Sequence, residues 1–339
     1  GSGRRCAVLA GRVELGGTLE TSPGRRVEFY PRTAGRPIDV GSTTDTAAAL
    51  ALSDAELDRI TAGSIWIGNS NSGPLSLTQL SSPANSSSLV LVSGGTVTQS
   101  APIVISNLAV QAASSIDLGL SANDVDVLTA QATAGSVTFA DQDALTIGQV
   151  ATLFPYSGVF AGNGNVVLTT TDGDLSIQDT NAATDVSSNF AVTLVAGGDE
   201  RKLHVASGAR IESAMSGGFN TFRADKMQLD GSLVAPDGLI ALVSQNSGQA
   251  IDLGSTTDDA ANTLELSDAE LDRITARTLR IGDSLTGAIT ISQALTPAGT
   301  SRLRLQNNSI VSQSAAIEVP ELAVTAHGTI DLYNVANIV

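Results

Sequence analysis

Two aspartates stand two residues apart in FADQDALTIG, Asp141 and Asp143, and two more in TDGDL, Asp172 and Asp174. At that spacing two carboxylates share one face of a β-strand, where one can hold a proton while the other stays charged. Enzymes that cleave glycans use such pairs for general acid–base work. The glycine between Asp172 and Asp174 makes that pair a turn first. Histidine offers less: His204 and His327 are the only two, and the sequence gathers no nucleophile or orienting acid around either. Cys6 is the single cysteine, so neither an intramolecular disulfide nor a thiolate metal site is expected. No EF-hand loop, GGxGxD roll, phosphate-binding loop or dinucleotide fingerprint occurs. The expectation is a non-enzymatic chain with no catalytic residue, cofactor or metal. A polysaccharide-active enzyme built on Asp141 and Asp143 is the rival.

The elements that would position these residues are short strands. LVLVSGGTVTQS (89–100), NVVLTTTDGDLSIQD (165–179) and LIALVSQ (239–245) carry apolar residues at i, i+2 and i+4 and end in turn formers. No intervening helix is long enough for a βαβ unit. Hydrophobic residues make up 42 % of the 339 but aromatics only 3 %, which suits a narrow, regular interior of Val, Leu, Ile and Ala. A period near 20 residues predicts an all-β parallel β-helix, or β-solenoid, whose coils stack about 4.8 Å apart and pair their backbones between coils. Residues 1–339 read as one continuous rod of this kind. No apolar run approaches the roughly 18–20 residues of a membrane span, so the chain reads as soluble.

A long internal repeat runs through the strands. Residues 38–125 are answered by 251–339, roughly half of them identical, with one residue inserted. Its centre is the word SDAELDRITA, at 53–62 and again at 267–276. Ser53 and Glu56, like Ser267 and Glu270, have the spacing of a capping box, and Leu52 with Leu57, like Leu266 with Leu271, that of a hydrophobic staple. Asp54 and Glu56 in the first turn and Arg59 in the last suit the helix dipole. Short helical turns are therefore expected at 53–62 and 267–276, docked on a coil because they are too short to stand alone. Asp54, Glu56 and Asp58 could instead hold a cation, but on a helix they do not converge. The second copy stops at Val339 in mid-repeat, and Gly1-Ser2-Gly3 reads as a cloning scar. The chain is thus expected to be a fragment of a longer protein.

The net charge of −16 argues against nucleic acid. Residues 1–36 hold seven Arg against three Glu, so the acidity lies in the remainder. That basic start reads as a salt-bridged strand surface or as a functional arm. For contact with partners the candidates are Trp66, which corresponds to Arg280 in the second copy, and ATLFPYSGVFAG (151–162), with Phe154, Tyr156 and Phe160. The latter interrupts the strand rhythm and is expected to protrude as a loop. TFRADKMQLDGSL (221–233) reads as a recognition strip or as a strand with outward charges.

The words LSDAELDRITA, NVVLTTTDGDLSI and VTLVAGGD, set among Ser/Thr/Gly-rich strands, make the chain resemble the repetitive region of filamentous-haemagglutinin-like exoproteins of Gram-negative bacteria. Many of these leave the cell by two-partner secretion. The resemblance covers essentially the whole chain and implies a right-handed parallel β-helix at the bacterial cell surface or outside it. It implies adhesion or a place in a biofilm matrix, a host or neighbouring-cell surface receptor or polysaccharide as partner, and an outer-membrane transporter during export. The Asn-Pro-Asn motifs of the family's secretion domain are absent. Open coil ends leave room for end-to-end self-association, and a self-assembling filament subunit stands as a further alternative.

Overall fold

The computed structural model describes residues 6–22, 24–44, 48–150, 155–258, 260–333 and 336–339. The chain forms two units, Gly1–Asn165 and Val166–Val339. Each is a parallel β-helix, the fold class that the alternating runs predict. In the first unit the strands Arg26–Pro31, Ser64–Gly68, Ser88–Ser93, Asn107–Ala112 and Val127–Ala132 stack in parallel on one side of the coil. Leu75–Leu77, Val97–Gln99, Ile116–Leu118 and Val137–Asp141 stack on the next side. Single bridges from Ser81 to Ile103 and from Val104 to Asp124 mark a third. In the second unit Val192–Ala196, Phe219–Arg223, the latter half of Ser232–Val243, Ile274–Ile281, Thr300–Gln306 and Leu322–Thr325 form the corresponding stack.

The period-two pattern decides which side chains face inward. Leu89, Leu108 and Leu128 lie in register and are fully buried, as are Leu91 and Val110 beside them. In the second unit Leu194, Phe222, Leu242, Ile281 and Leu305 form one such column. Each fully buried side chain of this size stabilises the fold by about 1.5–3 kcal/mol, so every coil depends on the coils above and below it.

The repeated word folds as expected at its start and differently at its end. Among the described residues helix is confined to α1, Asp54–Leu57, and α2, Asp268–Leu271. The remainder is drawn into strands: Ile60 pairs with Leu19, and Ile274 with Leu233. β-Branched residues favour strand, and ladder bonds to the preceding coil outweigh the marginal gain of extending a one-turn helix. Arg59 therefore does not close a last helical turn; its guanidinium donates to the Leu15 carbonyl, as Arg273 does to that of Asp230 at 3.0 Å.

The predicted capping residues do more than cap. Glu56 Oε2 accepts the backbone N–H and hydroxyl of Ser53 at 2.9 and 2.7 Å, and Glu270 does the same for Ser267 at 2.8 and 2.7 Å. The other oxygen of each reaches the preceding coil, taking the N–H of Leu15 at 3.1 Å and of Leu229 at 3.0 Å. Asp54 and Asp58 reach the following coil, accepting the N–H groups of Ser82 at 2.6 Å and Ala84 at 2.8 Å. Asp268 and Asp272 repeat this with Thr296 and Ala298. The three acids of the word are a clamp on the backbone of neighbouring coils.

One glycine pair shows how tightly the coils turn. Gly68 and Gly282, equivalent in the two copies, have φ of 84° and 78°. A Cβ on either would sit 2.1 Å from the Val92 carbonyl oxygen or 2.3 Å from that of Gln306. Only glycine fits.

Candidate functional site

Asp141 ends the Val137–Asp141 strand and is fully buried. Its Oδ1 accepts the Val125 N–H at 3.1 Å, while Oδ2 is buried without a partner. Removal from water pushes this carboxyl up to about 8, against backbone hydrogen bonds that favour the charged form; Asp143 and Asp124 add to the rise. It keeps its proton at neutral pH. Asp143 lies past the strand end in a bend and is exposed. The shared strand face expected for this pair therefore does not form, because the chain turns immediately after Asp141. One carboxyl is closed off and the other is open.

Asp172 and Asp174 behave as turn acids. Asp172 pairs with Arg201 at 2.8 Å, and Asp174 accepts the Lys202 N–H at 2.8 Å, so both tie their turn to the following coil. His204 lies half-exposed beside Asp230 at 3.6 Å, whereas His327 sits in an exposed bend after the Leu322–Thr325 strand. In 221–233, Arg223 binds Asp283 at 2.9 Å and the Ser244 carbonyl at 2.8 Å, and Lys226 is buried against Glu200 at 3.2 Å. These charges hold coils together rather than project as a strip.

A buried amide pair escaped the reading of the sequence. Asn123 Nδ2 donates to Gln99 Oε1, Leu118 O and Ala140 O, and its Oδ1 accepts from Gln99 Nε2 and Ile103 N. Asn337 and Gln313 repeat the exchange in the second copy. Both amides survive between the copies, the one available signal, but nothing in their spacing shows that they meet.

The segment 151–162 is not a protruding loop in its described part. Residues 151–154, and with them Phe154, lie outside the described residues. Val159–Ala161 is a coil strand paired with Ala130–Ala132, and Phe160 is half-buried on it. The chain leading in is fastened at Thr129, whose hydroxyl donates to the Gly148 carbonyl at 2.6 Å and accepts the Val150 N–H at 3.3 Å. Val150 and Tyr156 then pack on the outward side chains Val90, Val92 and Ala109, with Trp66 and Val127 at the margin. Gln111 Nε2 donates to the Tyr156 hydroxyl at 3.4 Å. An outer face of the first unit is thus covered by its own chain. Trp66 points outward, between the inward Ile65 and Ile67, but is half-buried: Nε1 donates to Ser64 Oγ at 3.0 Å and the Arg26 guanidinium lies 4.2 Å from the ring centre.

The same face in the second copy carries other residues. Arg280 stands for Trp66 and Arg304 for Val90, in register on adjacent strands. Thr278 and Arg302 are the next pair along. Arg302 binds Glu321 at 2.6 Å, while Arg280 lies 4.9 Å over the Phe219 ring. Burial, together with the positive charge of Arg304 and Arg223, lowers the affinity of the Arg280 guanidinium for its proton, against the pull of Asp283.

Beside each helical turn runs an open groove. In the first copy it measures about 380 Å³ and is lined by Ser82, Ser86, Ser106, Asp124 and Asp126. In the second it measures about 420 Å³, with Thr296, Thr300, Glu318 and Pro320 in its walls. Hydroxyls and carboxylates at open walls can hydrogen-bond a polar ligand. Comparison with protein-family models, curated proteins and solved structures finds no match to this chain.

Proposed function

We propose that the chain is a non-enzymatic extracellular scaffold of the bacterial adhesin or biofilm-matrix kind, as its resemblance to filamentous-haemagglutinin-like exoproteins implies. It holds a surface receptor or polysaccharide by many weak contacts. The observation that carries the reading is the register of outward side chains. Arg280, Arg304 and Ala323 follow one another on successive coils, so contacts recur at the coil spacing of about 4.8 Å. Weak contacts in such a series combine into avidity. The closed position of Asp141 supports the non-enzymatic side, since a buried acid meets no substrate.

The test is binding of the immobilised chain to whole cells and to a polysaccharide panel, with reducing ends and unsaturated products assayed in the same wells. Saturable binding without product is expected. Product formation that is lost in Asp141→Asn would establish the enzymatic rival, and no binding to any surface would leave a spacer.

A further inference from the structure

Like charges placed directly opposite each other on neighbouring strands are destabilising, and a sequence that carries such a pair with little internal compensation marks a candidate functional position. Arg280 and Arg304 are such a pair. Their strands lie about 4.8 Å apart. Two other arginines of these strands already have carboxylates: Arg223 binds Asp283 at 2.9 Å and Arg302 binds Glu321 at 2.6 Å, while Arg277, exposed on the strand of Arg280, adds a further positive charge. Among the described residues Arg304 has no hydrogen bond or ion pair, and the buried Nε of Arg280 has no partner. Phe219, 48 % exposed, holds the Arg280 guanidinium over its ring at 4.9 Å, a cation–π contact that restricts the side chain before any ligand arrives. In a chain of net charge −16 this is a local concentration of positive charge.

We infer that the outer face built by Phe219–Arg223, Ile274–Ile281 and Thr300–Gln306 docks a carboxylate-bearing polysaccharide, a polyuronate chain whose carboxylates sit on Arg280 and Arg304; this rests on the adhesive reading above and gives it a site. A planar guanidinium can pair a carboxylate through two parallel hydrogen bonds, and the neighbouring Arg302 and Arg223 show that arginines of this face take carboxylates. A polymer that bears a carboxylate on every sugar presents anions along its whole length and can bring them to both guanidinia. Nucleic acid fits less well, because its affinity grows with the number of phosphates neutralised and two free guanidinia neutralise few. A second copy of the chain brings a further −16 toward a molecule of the same sign.

The experiment compares the full chain with Arg280→Gln/Arg304→Gln and with Arg201→Gln, a surface arginine elsewhere. Each is titrated with polygalacturonate, dextran, dextran sulfate and duplex DNA, and wild type is repeated between about 0.05 and about 0.5 M salt. Polygalacturonate is expected to bind saturably and to weaken with salt. Its affinity should fall about tenfold or more in the double variant and stay unchanged in Arg201→Gln, with no binding to dextran. Arg304→Lys, which keeps charge without the fork, should lose part of the affinity and guards against misfolding of the double variant. Three results overturn the inference: polygalacturonate binding that the double variant retains, tighter binding of DNA or dextran sulfate through the same arginines, or self-association of wild type that the double variant abolishes. Whole-cell binding that persists in the double variant would leave the adhesive reading standing while removing this site. Loss of all binding by wild type would remove both.

Discussion

The two copies of the long repeat share a frame and differ in what their outer faces meet. Residues 38–125 and 251–339 keep the clamp acids, the turn glycines and the buried amide pair at matching positions. On the outer face the first copy has Trp66 and Val90 beneath Val150 and Tyr156. The second has Arg280 and Arg304, half-buried and in register, with the Phe219 ring against Arg280. Groups that satisfy backbone between coils cannot change without cost, because each lost partner leaves a buried donor costing about 1–3 kcal/mol. Outward side chains are free to change, and that freedom is where one copy can acquire a cover and the other a docking face.

The largest expected effect strikes the frame in both copies alike. Gly68→Ala and Gly282→Ala should each cost about 4 kcal/mol or more, read as loss of soluble folded protein or a sharp fall in denaturant midpoint. Unequal losses would mean that the frame is not common to the copies. Next comes the buried acid that lies outside them. In the fold Asp141 holds its proton up to about pH 8, while the unfolded chain releases it near 3.8. Stability from this group is therefore full below about pH 4 and drains as pH rises toward 8, at about 1.4 kcal/mol per unit. Asp141→Asn should accordingly match wild type at pH 4 and exceed it by several kcal/mol at pH 8 in urea melts; equal curves at both pH values would refute the burial.

Exchanging the outer residues sharpens the contrast further. Trp66→Arg places a second cation beside Arg26 and against the Val150 cover, and should cost about 2 kcal/mol. Arg280→Trp, where a half-buried side chain exchanges its contact with Phe219 for another, should cost less, about 1 kcal/mol or below. Similar costs at the two sites would show that the faces are equally covered.

The strands, the solenoid and the caps were legible because period-two alternation and capping spacing are local signals. The end of the SDAELDRITA word was not, since Ile60 chooses strand through pairing with Leu19, 41 residues before it. Asp141 and Asp143 misled because the alternation rule assumes a strand that continues, and this one stops at Asp141. The aromatic content of 151–162 suggested exposure, yet Tyr156 finds an apolar face that only the register of Val90 and Ala109 creates. Arg280 and Arg304 are 24 residues apart in sequence and become neighbours only through the ladder between coils.

The covered and open faces can be compared directly by thiol labelling. In a Cys6→Ser background, Val90→Cys and Arg304→Cys would be exposed to a maleimide under native conditions. Faster labelling at 304 and labelling at 90 only on unfolding, or after Val150→Gly and Tyr156→Gly, is the expected result. Equal labelling rates at the two positions in the intact fold would contradict the difference between the copies.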